Sequence, residues 1–242
     1  MTVLALMYHR ARSGPDGNDP AVLDAHFSVI ADAFRCVLPG EPLDPDRLNV
    51  CLTFDDAYFD FYAVVFPLLE KHGLRALLAV PAAVVPEKAQ APRAARLAVA
   101  DALGDGGYDP DGLCTWSELR EMARSGRVGF GAHGHTHCRL DLPGVDLERE
   151  VVLPREMLTS RLDLPVESFV FPYGRFTGAA LRTVRRHYRY AFRIGEADNP
   201  GWGGAMLYRV RADGLVSPEA PFAAHRRAGY RARRYWCRLR GR

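Results

Sequence analysis

Leu52-Thr53-Phe54-Asp55-Asp56 is a short apolar run that ends in two adjacent carboxylates. An apolar run bounded by charge predicts a buried strand whose end reaches solvent. In a protein that alternates strands and helices, catalytic groups collect at such strand ends. Two neighbouring acids repel each other, so the pair indicates a metal ion or a shared proton, with a helix-capping Asp pair as the ordinary alternative.

Three other apolar runs end in the same way. They run into Tyr8-His9-Arg10, into His133-Gly134-His135-Thr136-His137 and into Pro172-Tyr173-Gly174. Helical patterns separate these runs, and strands that alternate with helices predict a parallel β/α architecture. The carboxyl ends of parallel barrel strands open on one face, so the polar groups are expected to converge there.

Composition places the chain among ordinary globular proteins. Its 242 residues are 48% hydrophobic and 25% charged, which suits one α/β domain. No stretch reaches the roughly 20 apolar residues that span a bilayer, and the N-terminus does not resemble a signal peptide. The five cysteines are scattered and form no CxxC. Together these features predict a cytoplasmic protein in a reducing compartment.

The histidine-rich run is the second candidate for chemistry. His133 and His137 are four residues apart, so both imidazoles can meet one ion from a tight loop. Two His and one carboxylate form a common catalytic metal set. A solvated His-rich turn is the alternative. His135 is expected to support the ligands or to lie exposed, and Cys138 to be a buried cysteine without a metal role.

These motifs together resemble a known family. Thr53-Phe54-Asp55-Asp56, Gly131-Ala132-His133-Gly134-His135-Thr136-His137 and Phe171-Pro172-Tyr173-Gly174 resemble, in this order, three signatures of the polysaccharide deacetylases, the NodB-homology carbohydrate esterases. Thr115-Trp116-Ser117-Glu118-Leu119 resembles the family's lead-in to the second signature. The resemblance covers roughly residues 3–215 and implies an α/β fold, a distorted (β/α)7 barrel.

The resemblance also implies an activity, namely metal-dependent removal of N-acetyl groups from an amino sugar in a polysaccharide, oligosaccharide or glycoside precursor. It implies Asp55 as general base, Asp56, His133 and His137 as metal ligands, and Tyr173 as the donor of a backbone N–H to the oxyanion. The residues expected to bind substrate are Pro172, Tyr8 and Arg10. One divalent ion is expected, and zinc is the first expectation. Oxygen and imidazole ligands also admit cobalt, nickel, iron or manganese.

A general acid is also required, because an amine leaves poorly unless it is protonated. The family carries this acid on a His near its C-terminus, and His225 lacks a preceding strand. Some members with an N-terminal Tyr-His-Arg resemble circular permutants in which the His-bearing strand comes first. His9 is therefore assigned as general acid, and a histidine buried against a carboxylate for structural reasons is the alternative.

Three features depart from the family pattern. Ala57 stands where a Gly usually follows the two Asp. The Arg that often precedes the Pro-Tyr motif is missing, so what tunes Asp55 is open. The late Asp/Trp motif is not evident, and no role is assigned to Asp198 and Trp202 near its expected region.

Two segments extend the predicted catalytic domain of residues 1–215. Residues 86–112 are interpreted as an insertion with one helix, either a lid over the site or a surface elaboration. Residues 216–242 form a basic C-terminal tail whose last 18 residues hold eight Arg and no acid. With its interleaved aromatics the tail predicts weak contact with an anionic membrane surface, and a solvated or disordered end is the alternative. No nucleic-acid partner is expected, because the remaining chain is acidic.

Two further functions stay open at the level of sequence. A sugar-binding homologue could keep the barrel and lose the reaction, and the missing Arg leaves this alternative open. An amidase acting on a non-sugar N-acyl substrate would need the same catalytic residues and differ only in its pocket loops.

Overall fold

A closed barrel of parallel strands forms the centre of the protein. The computed structural model describes residues 1–14, 17–104 and 107–239, and within them the chain forms eight strands. These are β1 (Val3–Tyr8), β2 (Arg35–Cys36), β3 (Asn49–Phe54), β4 (Ala76–Val80), β5 (Val128–Ala132), β6 (Ser168–Val170), β7 (Tyr190–Ile194) and β8 (Leu207–Arg211). All except β2 pair in parallel around the barrel, and β1 closes it by pairing with both β3 and β8. The predicted seven-stranded barrel is confirmed.

Helices cover the outside of the barrel. Within the described ranges they are α1 (Pro20–Ala33), α2 (Phe66–Lys71), α3 (Arg93–Ala102), α4 (Trp116–Arg124), α5 (Leu153–Leu162), α6 (Gly178–His187) and α7 (Ala224–Leu239). A π-helical turn precedes both α2 and α5 (Phe61–Val65 and Glu148–Val152), and each of these helices has a proline in its first turn. A first-turn proline is tolerated because its missing N–H needs no helical partner there. In α5 this proline is Pro154.

Side-chain alternation along the strands decides which residues reach the barrel interior. Val3 and Ala5 of β1 belong to the same buried cluster as Cys51 of β3, whereas Leu4 and Leu6 pack in the larger cluster beneath the helices. Because successive side chains of a strand point to opposite faces, the residues two and four places beyond an inward residue point inward as well. This period places Asp55 and His9 at the mouth of the barrel.

The C-terminal segment packs against the barrel. Residues 224–239 form α7, in which Tyr230 joins the main core and Cys237 is buried with Ala197 and Tyr208. Arg234 lies 3.2 Å from the buried carboxylate of Asp198. Residues 224–239 of the predicted tail are therefore a helix that contacts the barrel through these side chains, while residues 240–242 lie outside the described residues. Of the helices described, none has the length and apolar character needed to cross a membrane.

Candidate metal and catalytic site

Asp55, at the end of β3, is held by an arginine from β8, two strands away in the barrel. Arg209 of β8 donates two hydrogen bonds to its carboxylate, from Nη1 to Oδ1 (2.6 Å) and from Nη2 to Oδ2 (2.8 Å). Both side chains are almost fully buried. Burial alone would raise the pKa of Asp55, but the charge of Arg209 and its hydrogen bonds hold that pKa below its usual range. Asp55 is therefore a fixed, ionised carboxylate.

The adjacent carboxylate, Asp56, faces two histidine rings. Its Oδ1 lies 3.4 Å from His137 Nε2 and 3.8 Å from His133 Nε2, and the two Nε2 atoms are 3.1 Å apart. All three residues are buried, and one ligand atom from each lies within 4.8 Å of the others. His133 Nδ1 is 2.8 Å from the carbonyl oxygen of Val170, which directs the other ring nitrogen toward Asp56.

These three residues fit a divalent ion. Burial lowers the pKa of His133 to about 4, so its ring is neutral near neutral pH, which is the form that binds a metal. Burial and the neighbouring charge of Asp55 raise the pKa of Asp56, a cost that a bound cation would offset. Two imidazoles and one carboxylate leave coordination positions for water or substrate, as catalytic metal sites do.

The backbone around the site adopts conformations that side chains rarely take. Asp56 (φ 74°), Ala57 (φ 56°), His137 (φ 61°) and Tyr173 (φ 55°) all lie in the left-handed region. Non-glycine residues stay there only when the surrounding structure enforces it, and such strain is typical of functional sites. Ala57, where the family usually has Gly, keeps the conformation that glycine would take without strain.

His9 lies on the other side of Asp55 and is paired with a carboxylate of its own. Its Nδ1 is 2.7 Å from Asp213 Oδ2, and its backbone N–H donates to Asp213 Oδ1 (3.0 Å). Nε2 points into the site, 3.7 Å from Asp55 Oδ2. Burial would lower the pKa of His9, but the bond to Asp213 and the charges of Asp55, Asp213 and Asp56 together raise it to about 9. A protonated His9 can therefore donate a proton near neutral pH.

Glu150, in the turn before α5, holds the His-rich loop from behind. Its Oε2 accepts hydrogen bonds from the backbone N–H groups of His135 and Thr136, both at 3.0 Å, and its Oε1 accepts from the Thr136 hydroxyl at 2.8 Å. Glu150 is buried, so the loss of these bonds would leave donors unsatisfied in the protein interior. The sequence analysis did not identify this residue.

Two tyrosines flank the ring of His137. Tyr173, half exposed on the turn after β6, has its ring centroid 4.7 Å from that of His137. Tyr108, from the predicted insertion, contacts His137 edge to face at 5.7 Å, and its hydroxyl donates to Asp56 Oδ1 at 2.8 Å. The insertion therefore reaches the site, although its residues 105–106 lie outside the described ranges.

A cavity of about 380 Å³ opens above these groups. It is lined by Met7, His9, Asp55, Asp56, His133, His137, Phe171, Tyr173, Ile194, Glu196, Arg209 and Arg211. The lining brings together all six residues predicted to act in catalysis or metal binding. Its size lies at the lower end of the range typical of small-molecule sites, about 300 to 1,000 Å³.

Two of the three residues predicted to bind substrate do not line this cavity. Tyr8 is fully buried, with its hydroxyl 2.7 Å from His26 Nε2 and its ring stacked on Phe54, because strand alternation turns it away from the barrel interior. Arg10 is also buried, and its Nε donates to Asp60 at 3.2 Å.

Pro172, the third, is buried beside the cavity and does not line it. It begins the short helical turn that carries Tyr173 in its left-handed conformation. Pro172 therefore shapes the backbone at the site.

The other residues considered for a functional role make structural contacts. Asp198 is paired with Arg234, and the Trp202 indole donates to the carbonyl of Glu41 at 3.0 Å, both outside the cavity. Cys138 is a partly buried free thiol and is not among the residues that surround Asp56.

The fold is shared with solved deacetylases. IcaB from Ammonifex degensii superposes with a TM-score of 0.69 at 21% identity, over 88% of this chain and 92% of that one. The Streptococcus pyogenes deacetylase PplD, solved in complex with acetate, gives a TM-score of 0.72 at 21% identity, over 92% of this chain and 97% of that one. At this identity the likeness concerns the fold, which is that of the NodB-type barrel.

Sequence comparison identifies the family. The profile of the polysaccharide deacetylases matches residues 44–191, more than half of the chain, and the protein therefore belongs to the polysaccharide deacetylase family. The poly-β-1,6-N-acetyl-D-glucosamine N-deacetylase of Escherichia coli strain K12 is 27% identical over 175 residues, which cover 61% of this chain. The chain spans about a quarter of the length of that relative, whose name describes a hydrolase of an amide C–N bond.

Proposed function

We propose that the protein hydrolyses the N-acetyl group of an N-acetylated amino sugar and uses one divalent ion held by Asp56, His133 and His137. The observation that carries this proposal is the position of Asp55 between the three candidate ligands and His9. Asp55 Oδ2 is 3.8 Å from His133 Nε2 and 3.7 Å from His9 Nε2. One buried cavity therefore holds an ionised base, a protonated acid and a cluster suited to a metal.

The base in this proposal is Asp55. When bound, a divalent ion would polarise the amide carbonyl and lower the pKa of water at the site. Asp55 accepts a proton from the attacking water as the water oxygen forms a bond to the acetyl carbon. The two hydrogen bonds from Arg209 fix the carboxylate, so that it faces the cavity without rotating away.

The acid in this proposal is His9. As the C–N bond breaks, His9 transfers its Nε2 proton to the sugar nitrogen, and the products are acetate and a free amine. Asp213 fixes the ring through Nδ1 and keeps the opposite nitrogen pointing into the cavity. The backbone N–H of Tyr173 is proposed as a donor to the oxyanion that forms between these two proton transfers.

Relatives support a sugar as substrate. Poly-β-1,6-N-acetyl-D-glucosamine is named as the substrate of the Escherichia coli relative, and acetate is bound in the solved Streptococcus pyogenes deacetylase. A role as a non-catalytic sugar-binding protein rested on the missing Arg of the Pro-Tyr motif. Arg209 provides a guanidinium at Asp55 from another strand, which favours the catalytic function.

The decisive experiment measures acetate release from N-acetyl chito-oligosaccharides and from β-1,6-linked N-acetylglucosamine oligomers. We expect release by the purified protein, loss after chelation, and recovery on adding back zinc or cobalt. The Asp55→Asn variant should lose turnover while its metal content stays near one ion per chain. Release that persists in a fully chelated sample, or full activity in Asp55→Asn, would contradict the proposal.

Contact of the C-terminal helix with an anionic membrane surface remains a proposal. On α7, Tyr235 (59%) and Trp236 (41%) are exposed, and Arg233 lies over the Trp236 ring. Exposed aromatics beside arginines are typical of helices that lie on anionic lipid. Sedimentation with phosphatidylserine vesicles tests this contact, and equal binding to neutral vesicles would argue against it. The cytoplasmic location stays a prediction.

A further inference from the structure

We infer that Tyr108, from the 86–112 insertion, is a positioning residue that fixes two of the three candidate metal ligands, Asp56 by a hydrogen bond and His137 by a ring contact. The inference rests on the proposed function, because it assigns a role toward the ion that these ligands would hold. It gives the insertion a defined part in the site.

The hydroxyl of Tyr108 is hydrogen-bonded to the carboxylate of a candidate metal ligand. It donates to Asp56 Oδ1 (2.8 Å), the same oxygen that lies 3.4 Å from His137 Nε2. A buried carboxylate without such a donor can rotate about its terminal torsion, which is broad for Asp. The bond therefore fixes the orientation of the oxygen that faces the two imidazoles.

The ring of Tyr108 acts on the second ligand. It meets His137 edge to face, with an interplanar angle of 86°, while Tyr173 contacts the same imidazole at 4.7 Å. His137 has a strained backbone (φ 61°), so its side chain depends on such neighbours for its position. Tyr108 and Tyr173, from two separate segments, together confine this imidazole.

Tyr108 is itself held by a stack of side chains that begins at Arg10, just after β1. Its ring lies parallel to that of Tyr58 (6.2 Å between centroids), and the Arg10 guanidinium covers the Tyr58 ring at 4.0 Å. Arg10 also donates to the carbonyl of Ala100, in the last turn of α3, and to Asp60 at 3.2 Å. Arg10, predicted to bind substrate, instead ties the insertion to the barrel.

A second anchor fixes the body of the insertion. Arg96 of α3 makes two hydrogen bonds to Glu118 of α4 (2.6 and 3.0 Å) and lies 3.6 Å above the Phe59 ring. Two buried arginines therefore attach α3 to the barrel. These anchors indicate that the insertion is a fixed wall that carries Tyr108. They argue against a lid that opens with each turnover.

The test is metal affinity, measured on the full chain by competition with a chromophoric chelator and by the visible spectrum of bound Co²⁺. Groups that orient metal ligands typically change affinity about 10- to 100-fold when removed. We expect Tyr108→Phe, which removes only the hydroxyl, to weaken Co²⁺ binding about tenfold. Tyr108→Ala, which also removes the ring, should weaken it further and change the Co²⁺ absorption bands.

A matched control is available at the protein surface. Tyr62 donates its hydroxyl to Glu121 at 2.8 Å, away from the site, so Tyr62→Phe removes the same kind of bond and should leave Co²⁺ affinity unchanged. Wild-type affinity in both Tyr108 variants would overturn the inference. A wild-type protein that binds Co²⁺ but releases no acetate would overturn the proposed function alone, and one that binds no metal would overturn both.

Discussion

His9 and Asp213, 204 positions apart in the chain, form a hydrogen-bonded pair at the mouth of the barrel, with His9 Nδ1 2.7 Å from Asp213 Oδ2. The pair exists because β1 and β8 are neighbours, so the residues that follow these two strands meet at the seam where the barrel closes. The side chain of Asp213 is fully buried. Its charge therefore acts on His9 with little screening by solvent.

Replacing Asp213 should change the pH range of the enzyme. A general acid works only while it is protonated, so kcat should fall as the pH rises through the pKa of His9, which is about 9. Asp213→Asn removes a charge that raises this pKa. The alkaline limb of kcat should therefore move to lower pH, by about 1 to 3 units. Initial rates at saturating substrate across the pH range provide the measurement.

A remote His–Asp pair serves as the control for this profile. Asp24 Oδ1 lies 2.6 Å from His72 Nε2 on the outside of the barrel, so Asp24→Asn should leave the pH profile unchanged. An alkaline limb that stays in place in Asp213→Asn would show that His9 does not set it.

Truncating His9 should affect the chemical step more than binding. We expect His9→Ala to lower kcat about 10²- to 10⁴-fold, the usual contribution of a general acid, with a smaller change in KM. Steady-state kinetics on one defined oligosaccharide measure both constants. A change confined to KM would indicate that His9 binds the sugar and does not donate a proton.

The barrel and the candidate metal ligands could be predicted because their signals are local. The strand β3 (Asn49–Phe54) ends at Phe54, where the apolar run before Asp55 and Asp56 predicts a strand end. Asp56, His133 and His137 belong to two short motifs that stand within the segment matched by the family profile, residues 44–191. Residues that act together within one loop leave a pattern that can be read without knowing the fold.

Arg209, Asp213 and Tyr108 were missed because the barrel brings them to the site from distant segments. No spacing in the sequence relates Arg209 to Asp55, 154 positions away. One signal was present, since Arg209 interrupts the apolar strand β8, and a charge in a buried strand requires a partner. Strand alternation likewise separates His9 from Tyr8, and applying it would have excluded Tyr8 from the substrate-binding residues.

The Arg209–Asp55 pair should also matter for stability. Removing one member of a buried ion pair leaves the other charge uncompensated and typically costs about 3 to 5 kcal/mol. We expect Arg209→Met to lower the free energy of unfolding by about this amount. Adding Asp55→Asn to Arg209→Met should cost far less than the sum of the two single changes, because no charge is then left unpaired. Urea denaturation of the two single variants and the double variant measures this coupling.

The partly exposed Arg75–Glu41 pair gives the contrast. Its members are joined at 2.8 Å but are 29% and 27% exposed, so Arg75→Met should cost at most about 1 kcal/mol. Additive losses in the Arg209 and Asp55 variants would contradict the expected coupling.

Glu150 provides a prediction that separates stability from metal binding. Glu150→Ala removes the acceptor for two backbone N–H groups of the His-rich loop, which should cost about 1 to 3 kcal/mol and weaken metal affinity, because His137 depends on this loop. Glu150→Gln should keep most of both properties. Its amide oxygen can accept the two N–H bonds while its amide nitrogen donates to the Thr136 hydroxyl.

The measurements for Glu150 are urea denaturation of the metal-free protein and Co²⁺ affinity of each variant. Glu41→Ala is the control, since Glu41 also accepts a backbone N–H, from Leu38 at 2.9 Å, but lies outside the cavity. It should lose stability and keep its metal affinity. If Glu150→Ala loses only stability, as Glu41→Ala should, then the loop orders itself around the ion without help. A loss of affinity in Glu150→Ala that Glu150→Gln restores would show that the hydrogen bonds made at this position, and not the negative charge, set the position of the loop.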